Sequence, residues 1–380
     1  MNAHIEKMRT FIADRKSVFD RGVNRQTAVW KGEVPDSQPL LLSCAPEKEW
    51  RDSIPDYNTK ESHFDTQKML TCGFKAMLST ANGGREAVPS IRASMGCGIF
   101  PTLFGLTQTL FDDKMPWMQE HLDKKSILYM GPEDLKPGDE FKAGLEHMAK
   151  MRELVEGTGA YVFPLDLQSP FGTAHLVYGD KLFYDLYDDP VFVHHLLDLS
   201  CECLIFGLTE CLKVMNDSDT LIAHYNSLII PREMGGLKIS EDTATLISKD
   251  AIEEFVLPYQ RKLLRHFGGG YVHYCGKNDR LLDALLDEPL VHGINFGNTE
   301  KHDMDAALRR IAGAGKLYFG GINMLPEETH YDFFLRVLKA SRQGDLYKLL
   351  LQISAPDEAK RDEMISDWEK AQAALRRRQP

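Results

Sequence analysis

From about residue 39 onward, short β-branched or apolar runs alternate with longer stretches whose apolar residues recur at helical spacing. A strand followed by a helix, repeated in this way, builds a parallel sheet with crossover helices. Eight runs qualify: Pro39 to Cys44, Val88 to Ala93, Ala160 to Leu165, Leu221 to Asn226, Gly270 to Tyr274, Val291 to Phe296, Lys316 to Gly320, and Tyr347 to Ile353. Between them lie amphipathic segments such as Ala251 to Leu264 and Asp332 to Leu338. Eight strands with eight helices predict an α/β chain folded as a (β/α)8 TIM barrel. A doubly wound open sheet is the alternative, because strand number read from one sequence carries an error of one or two.

The first 35 residues stand outside that alternation. A helix from Ile5 to Val23 is followed by a polar segment, Thr27 to Asp36, carrying Gly32 and Pro35. This N-terminal helical extension, residues 1–35, is expected to cap one end of a catalytic barrel formed by residues 36–380. The excursion from Gly96 to Gly144 is rich in Gly, Pro, Met and aromatic residues. Inserted after strand two, it would overhang the barrel mouth as a lid. Its Phe100, Phe104, Phe111, Met115, Trp117 and Met118 either cradle an aromatic ligand or pack the lid itself.

A chain of 380 residues with 43% hydrophobic and 27% charged residues can bury one large core. Its net charge of −11 argues against a nucleic-acid or anionic-membrane surface, which Lys and Arg would dominate. The basic run Arg376-Arg377-Arg378 reads as a solvated tail. Seven cysteines without framework spacing, and an N-terminus lacking an apolar leader, point to free thiols in a reducing cytoplasm. No stretch approaches the roughly 18 consecutive apolar residues of a membrane span.

In a (β/α)8 barrel the active site is assembled at strand C-termini and the loops after them. Polar residues fall there in turn: Asp166 and Gln168 after strand three, His224 and Asn226 at strand four, His273 and Cys275 at strand five. Asn295 and Asn298 follow strand six, Asn323 strand seven, and Gln352 and Ser354 strand eight. The sharpest pair is His273 and Cys275. Residues two apart on a strand face one side, so an imidazole and a thiol meet from one rigid element. They read either as ligands of a tetrahedral Zn2+, which needs at least one more, or as interior residues satisfied by their neighbours. His224 is a candidate acid–base group. Cys97, between Gly96 and Gly98, is a candidate mouth residue, whereas Cys201 and Cys203 sit in an apolar helical run and read as core. The run Gly268-Gly269-Gly270 precedes a strand and is a turn, not a phosphate loop.

The stretch Ile239-Ser-Glu-Asp-Thr-Ala-Thr-Leu-Ile-Ser-Lys-Asp-Ala-Ile-Glu-Glu-Phe-Val-Leu-Pro-Tyr259, followed by Val272-His-Tyr-Cys-Gly276, resembles the uroporphyrinogen decarboxylase superfamily. Gln168-Ser-Pro-Phe-Gly172, Leu186-Tyr-Asp-Asp-Pro190 and Trp30-Lys-Gly-Glu-Val-Pro-Asp36 extend the resemblance over nearly the whole chain. It looks most like the branch of corrinoid-dependent (cobalamin) methyltransferases. The porphyrin-decarboxylating members carry an arginine-rich N-terminal signature, and the corresponding region here reads Leu40-Leu-Leu-Ser-Cys-Ala-Pro46.

The resemblance implies a zinc site formed by His273, Cys275 and a thiolate on the last strand. The position matching that thiolate is Gln352, and a neutral amide is a poor zinc ligand. Either Gln352 or a carboxylate such as Asp166, Glu241 or Asp242 then completes the site. Asp166, Glu241 and Asp242 otherwise position substrate, with Gln168, Cys97, Asn226, Asn295, Asn298 and Asn323 lining its pocket. The implied activity is methyl transfer between a small methylated substrate and a separate corrinoid protein, since the chain carries no D-x-H-x-x-G corrinoid segment of its own. A homodimer is compatible with this reading. The rival expectations are a metal-independent decarboxylase or lyase of the same superfamily, and a ligand-binding relative without catalysis.

Overall fold

A computed structural model describes residues 3–376, and the side chain of Asn226 lies outside the described residues, as do Arg377 and Arg378. Six strands form one parallel sheet: β1 (Leu40–Cys44), β6 (Leu237–Ser240), β7 (Gly270–Tyr274), β8 (Val291–Phe296), β9 (Leu317–Gly320) and β10 (Leu349–Ala355). Their order is β1-β10-β9-β8-β7-β6, and every neighbouring pair is parallel. A separate parallel pair is made by β2 (Ser90–Ile91) and β3 (Tyr161–Val162). The chain following β3 reaches the large sheet through one parallel bridge, Gln168 to Ser240. Helices intervene between successive sheet strands, an α/β arrangement consistent with a TIM-like barrel.

One expected strand is not part of that sheet. Leu221–His224 (β4) turns back through Tyr225–Ser227 and pairs antiparallel with Leu228–Pro231 (β5), and the parallel strand at this place is β6. The hairpin exists because both of its arms are apolar and neither needs a solvated face. Leu228 and Ile230 pack in a cluster with Trp30, Leu41, Tyr271 and Phe319, separate from the main core.

The N-terminal extension also differs from expectation. It is two helices, Ala3–Ala13 and Lys16–Lys31, so the segment from Thr27 read as polar loop is the last helical turn up to Lys31. Gln26 explains how this helix is seated. Its amide donates to the carbonyls of Glu86 and Ser227 and its oxygen accepts from the Ile229 amide, at 2.9, 3.0 and 2.9 Å. The helix therefore caps the end where the hairpin lies.

The insertion from Gly96 is held by a buried carboxylate. Glu140 accepts from the Gln108 backbone and side-chain amides, each at 2.9 Å, and its second oxygen also meets Nε2 of His63 at 3.1 Å. Phe100, Phe104 and Met118 are buried, so for them packing is the role, whereas Met115 and Trp117 are about half exposed. The 25-residue helix Pro190–Val214 is long and apolar enough to cross a membrane by length and composition. It is packed among the other helices here, with Leu196, Cys201, Cys203 and Leu204 fully buried. Cys201 and Cys203 are thus core residues, as their spacing predicts.

Candidate metal centre

The ends of β6, β7 and β8 bring polar side chains to one place. Ser240 of β6 pairs with His273 of β7, which pairs with Asn295 of β8. One position beyond the β6 ladder the Glu241 amide bonds the His273 carbonyl at 2.8 Å. Asp242, next in the chain, accepts from the Cys275 amide at 2.5 Å. The result is a trio, Asp242, His273 and Cys275, whose donor atoms lie within 4.8 Å of one another. His273 Nε2 stands 3.5 Å from Cys275 Sγ and 3.8 Å from Asp242 Oδ1.

Asn295 sets the tautomer of His273. Its amide nitrogen donates to the Phe319 carbonyl at 2.5 Å, which turns Oδ1 toward His273 Nδ1, also at 2.5 Å. Nδ1 must carry the hydrogen in that bond, so Nε2 presents its lone pair to Cys275 and Asp242. Burial and the nearby Lys238 ammonium lower the His273 pKa, which keeps the ring neutral. Burial and Asp242 push the Cys275 thiol up to about 11, so it holds its proton at neutral pH until a cation displaces it. The cradle around the thiol is tight. A Cβ on Gly297 would lie 2.5 Å from Cys275 Sγ, so only glycine leaves the sulfur its place.

The other expected site residues divide. Asn298 accepts from the Gly276 amide at 2.9 Å and braces the turn after Cys275. Cys97 is half-buried within electrostatic reach of Asp166, Arg92 and Asp242, and burial raises its thiol to about 11. Gln168 is tied to Ser240 through backbone, its side chain half-buried. Gln352 lies on β10 opposite Leu41, with β9 and β8 between its strand and that of His273, and Asp242 occupies the third position beside His273 and Cys275. Asn323 is exposed, and its carbonyl accepts from Arg336 at 3.4 Å. Asn226, whose side chain is outside the described residues, receives no placement.

Two expected catalytic groups are used structurally. His224 lies in the hairpin, fully enclosed, with Nε2 donating to the Gly236 carbonyl at 2.7 Å. Burial drives its pKa to about 3, which removes it as an acid–base group near neutrality. Glu241 faces away from Asp242 into the helices, where it accepts from Ser169 Oγ at 2.8 Å and Gln260 Nε2 at 2.9 Å. Burial raises it to about 7 against the pull of those two bonds.

Two charged residues that sequence reasoning passed over stand beside the trio. Asp166 meets Arg92 at 3.4 Å and Lys238 at 3.2 Å. Burial pushes this carboxyl up, but the two cations outweigh it and hold the group at about 2. Both lie inside apolar runs, Arg92 in Val88 to Ala93 and Lys238 in Leu237-Lys-Ile239, and a charge at an otherwise apolar strand position was the signal available.

No family model matches the chain, and no curated protein matches its sequence. Among solved structures, it is similar to a methyltransferase from Methanosarcina mazei, with a TM-score of 0.63 and 15% identity over 93% of this chain and 98% of that one. At that identity the likeness is one of fold.

Proposed function

We propose that the chain is a methyltransferase working at Asp242, His273 and Cys275 on the rim of a (β/α)8 barrel that β2 and β3 complete. It moves a methyl group between a small methylated substrate (a methoxy-aromatic, a methylamine or a methyl thiol) and a corrinoid carried by a separate protein. The observation that carries this reading is the gathering of carboxylate, imidazole and thiol within 4.8 Å at adjacent strand ends. Three such donors suit Zn2+ and leave its fourth position for substrate. The fit is supported by the free Nε2 lone pair, by the Gly297 cradle and by a thiol that only a cation would deprotonate at neutral pH. Zinc bound there would supply a Lewis acid for the leaving oxygen or nitrogen, or hold a thiol as its thiolate.

The chain's own residues supply the rest. Asn295 keeps the imidazole oriented, and the Cys275 amide keeps Asp242 turned inward. Asp242, rather than Gln352, is the third donor in this reading. A carboxylate donates less charge to a metal than a thiolate does, which favours an ether or amine substrate over a thiol nucleophile.

Zinc content and methyl transfer test the reading together. We expect about one zinc per chain, lost in His273→Ala, and methylcobalamin formation from methoxy-aromatics or methylamines under anaerobic conditions with reduced cobalamin. No zinc taken up after supplementation, together with no methylcobalamin from any of these substrates, would sink the proposal and favour a metal-independent lyase.

A further inference from the structure

Arg92 and Lys238 share one carboxylate, Asp166, and each remains about one-fifth exposed, at 20%. The guanidinium is held in place rather than saturated: it lies 5.5 Å from the Phe163 ring centroid and 5.8 Å from that of Tyr225. Two cations against one anion leave a net positive charge. Of the neighbouring groups, His224 is neutral and Glu241 faces the helices, while Asp242 stands with His273 and Cys275, where its charge would be set against the metal of the proposed function. Arg92, Asp166 and Lys238 give the charged side of a cavity whose other walls are mostly apolar and whose free space is about 30 Å³, room for one small group and not for a whole substrate.

The position of the pair adds a direction. Lys238 lies on β6 two residues before Ser240 and so on the same face, and Ser240 pairs with His273 of β7. The lysine therefore reaches in on the side of the sheet where the trio stands.

We infer that Arg92 and Lys238 form an anion subsite that grips a carboxylate on the far end of the substrate and turns its other end toward Asp242, His273 and Cys275. The inference rests on the proposed function for what happens at that other end, but not for the binding itself. Asp166 is then the intramolecular stand-in for the ligand's carboxylate, keeping both cations aligned and competing with the ligand for them.

Calorimetric titration of the zinc-loaded protein with 4-methoxybenzoate and with its neutral counterpart 4-methoxybenzamide provides the test, and no corrinoid is needed. We expect the acid to bind about ten-fold tighter or better, a difference of ~1.4 kcal/mol. Arg92→Met and Lys238→Met should each abolish that preference. Asp166→Asn should strengthen binding of the acid several-fold, a gain that misfolding cannot imitate. Equal affinities, no binding of the acid at roughly 10 mM, a preference surviving both methionine variants, or no gain in Asp166→Asn would each overturn the subsite. Acid preference without any methyl transfer would instead leave the subsite standing and overturn the proposed function.

Discussion

Asn295 bonds to His273 and to the Phe319 carbonyl, and through them it decides which nitrogen of His273 faces Asp242 and Cys275. With its amide committed to the Phe319 carbonyl, it can only accept from Nδ1. Asn295→Leu removes both bonds with a side chain of similar branched shape, so the ring is free to turn and to change tautomer. Such supporting partners are worth 10–100-fold in metal affinity. We expect Asn295→Leu to weaken zinc binding by about that factor, measured by competition with a chromogenic chelator, with little change in secondary structure by circular dichroism. At this scale the sequence reveals His273 and Cys275 through strand periodicity alone, since i and i+2 must share a face. It does not single out Asp242 from Asp166 and Glu241. That choice depends on which of two adjacent acids points inward just past the end of β6, and on two cations, from different strands, that engage Asp166.

Among the elements, the strands were most legible where the sheet is regular and least where an apolar run serves another purpose. Gly270–Tyr274 and Val291–Phe296 have the expected bounds because both are enclosed and bounded by turns. Leu221–His224 has the same composition but spends it in a hairpin, while the true sheet strand, Leu237–Ser240, is four residues long and broken by Lys238. Periodicity cannot separate those cases, because the difference is which partner each run meets. The insertion after β2 is likewise a matter of partners, and Glu140 is the one that pins it. Glu140→Ala leaves the Gln108 amides and His63 without their acceptor, at a cost of about 3 kcal/mol for the buried groups together. We expect faster proteolytic cleavage between Thr109 and Trp117 in that variant. Acid should act similarly on the parent protein. Burial pushes Glu140 up, but its bonds from His63 and Gln108 outweigh this and lower its pKa below the unfolded value. Its contribution is therefore present above the unfolded carboxyl pKa and is lost as pH falls through the lower folded one, so cleavage should accelerate only in the acid range.

At the scale of the whole molecule, the helix Lys16–Lys31 and the last helix, Glu358–Arg376, both pack against β10. Gln38, just before β1, receives a hydrogen bond from Trp368 and donates its amide to Gln372, both in the last helix, while Gln26 and Trp30 of the extension seat on the hairpin and the sheet. Residues 3–35 therefore act as part of the core rather than as an appendage. Trp30 makes the case most sharply. A Cβ on Gly293 of β8 would lie 2.8 Å from its ring, so the sheet has left a glycine where the indole enters. The ring fills the space among Leu41, Tyr271, Leu317 and Phe319 that inward side chains alone do not occupy. Trp30→Ala should open a cavity there and cost about 3–5 kcal/mol. If the extension were an independent unit, calorimetry of that variant would resolve a separate low-temperature transition and leave the main one unmoved. If it is part of one core, as these contacts require, the main transition itself moves down by several degrees, and zinc affinity at the far end of β7 changes little until the chain unfolds.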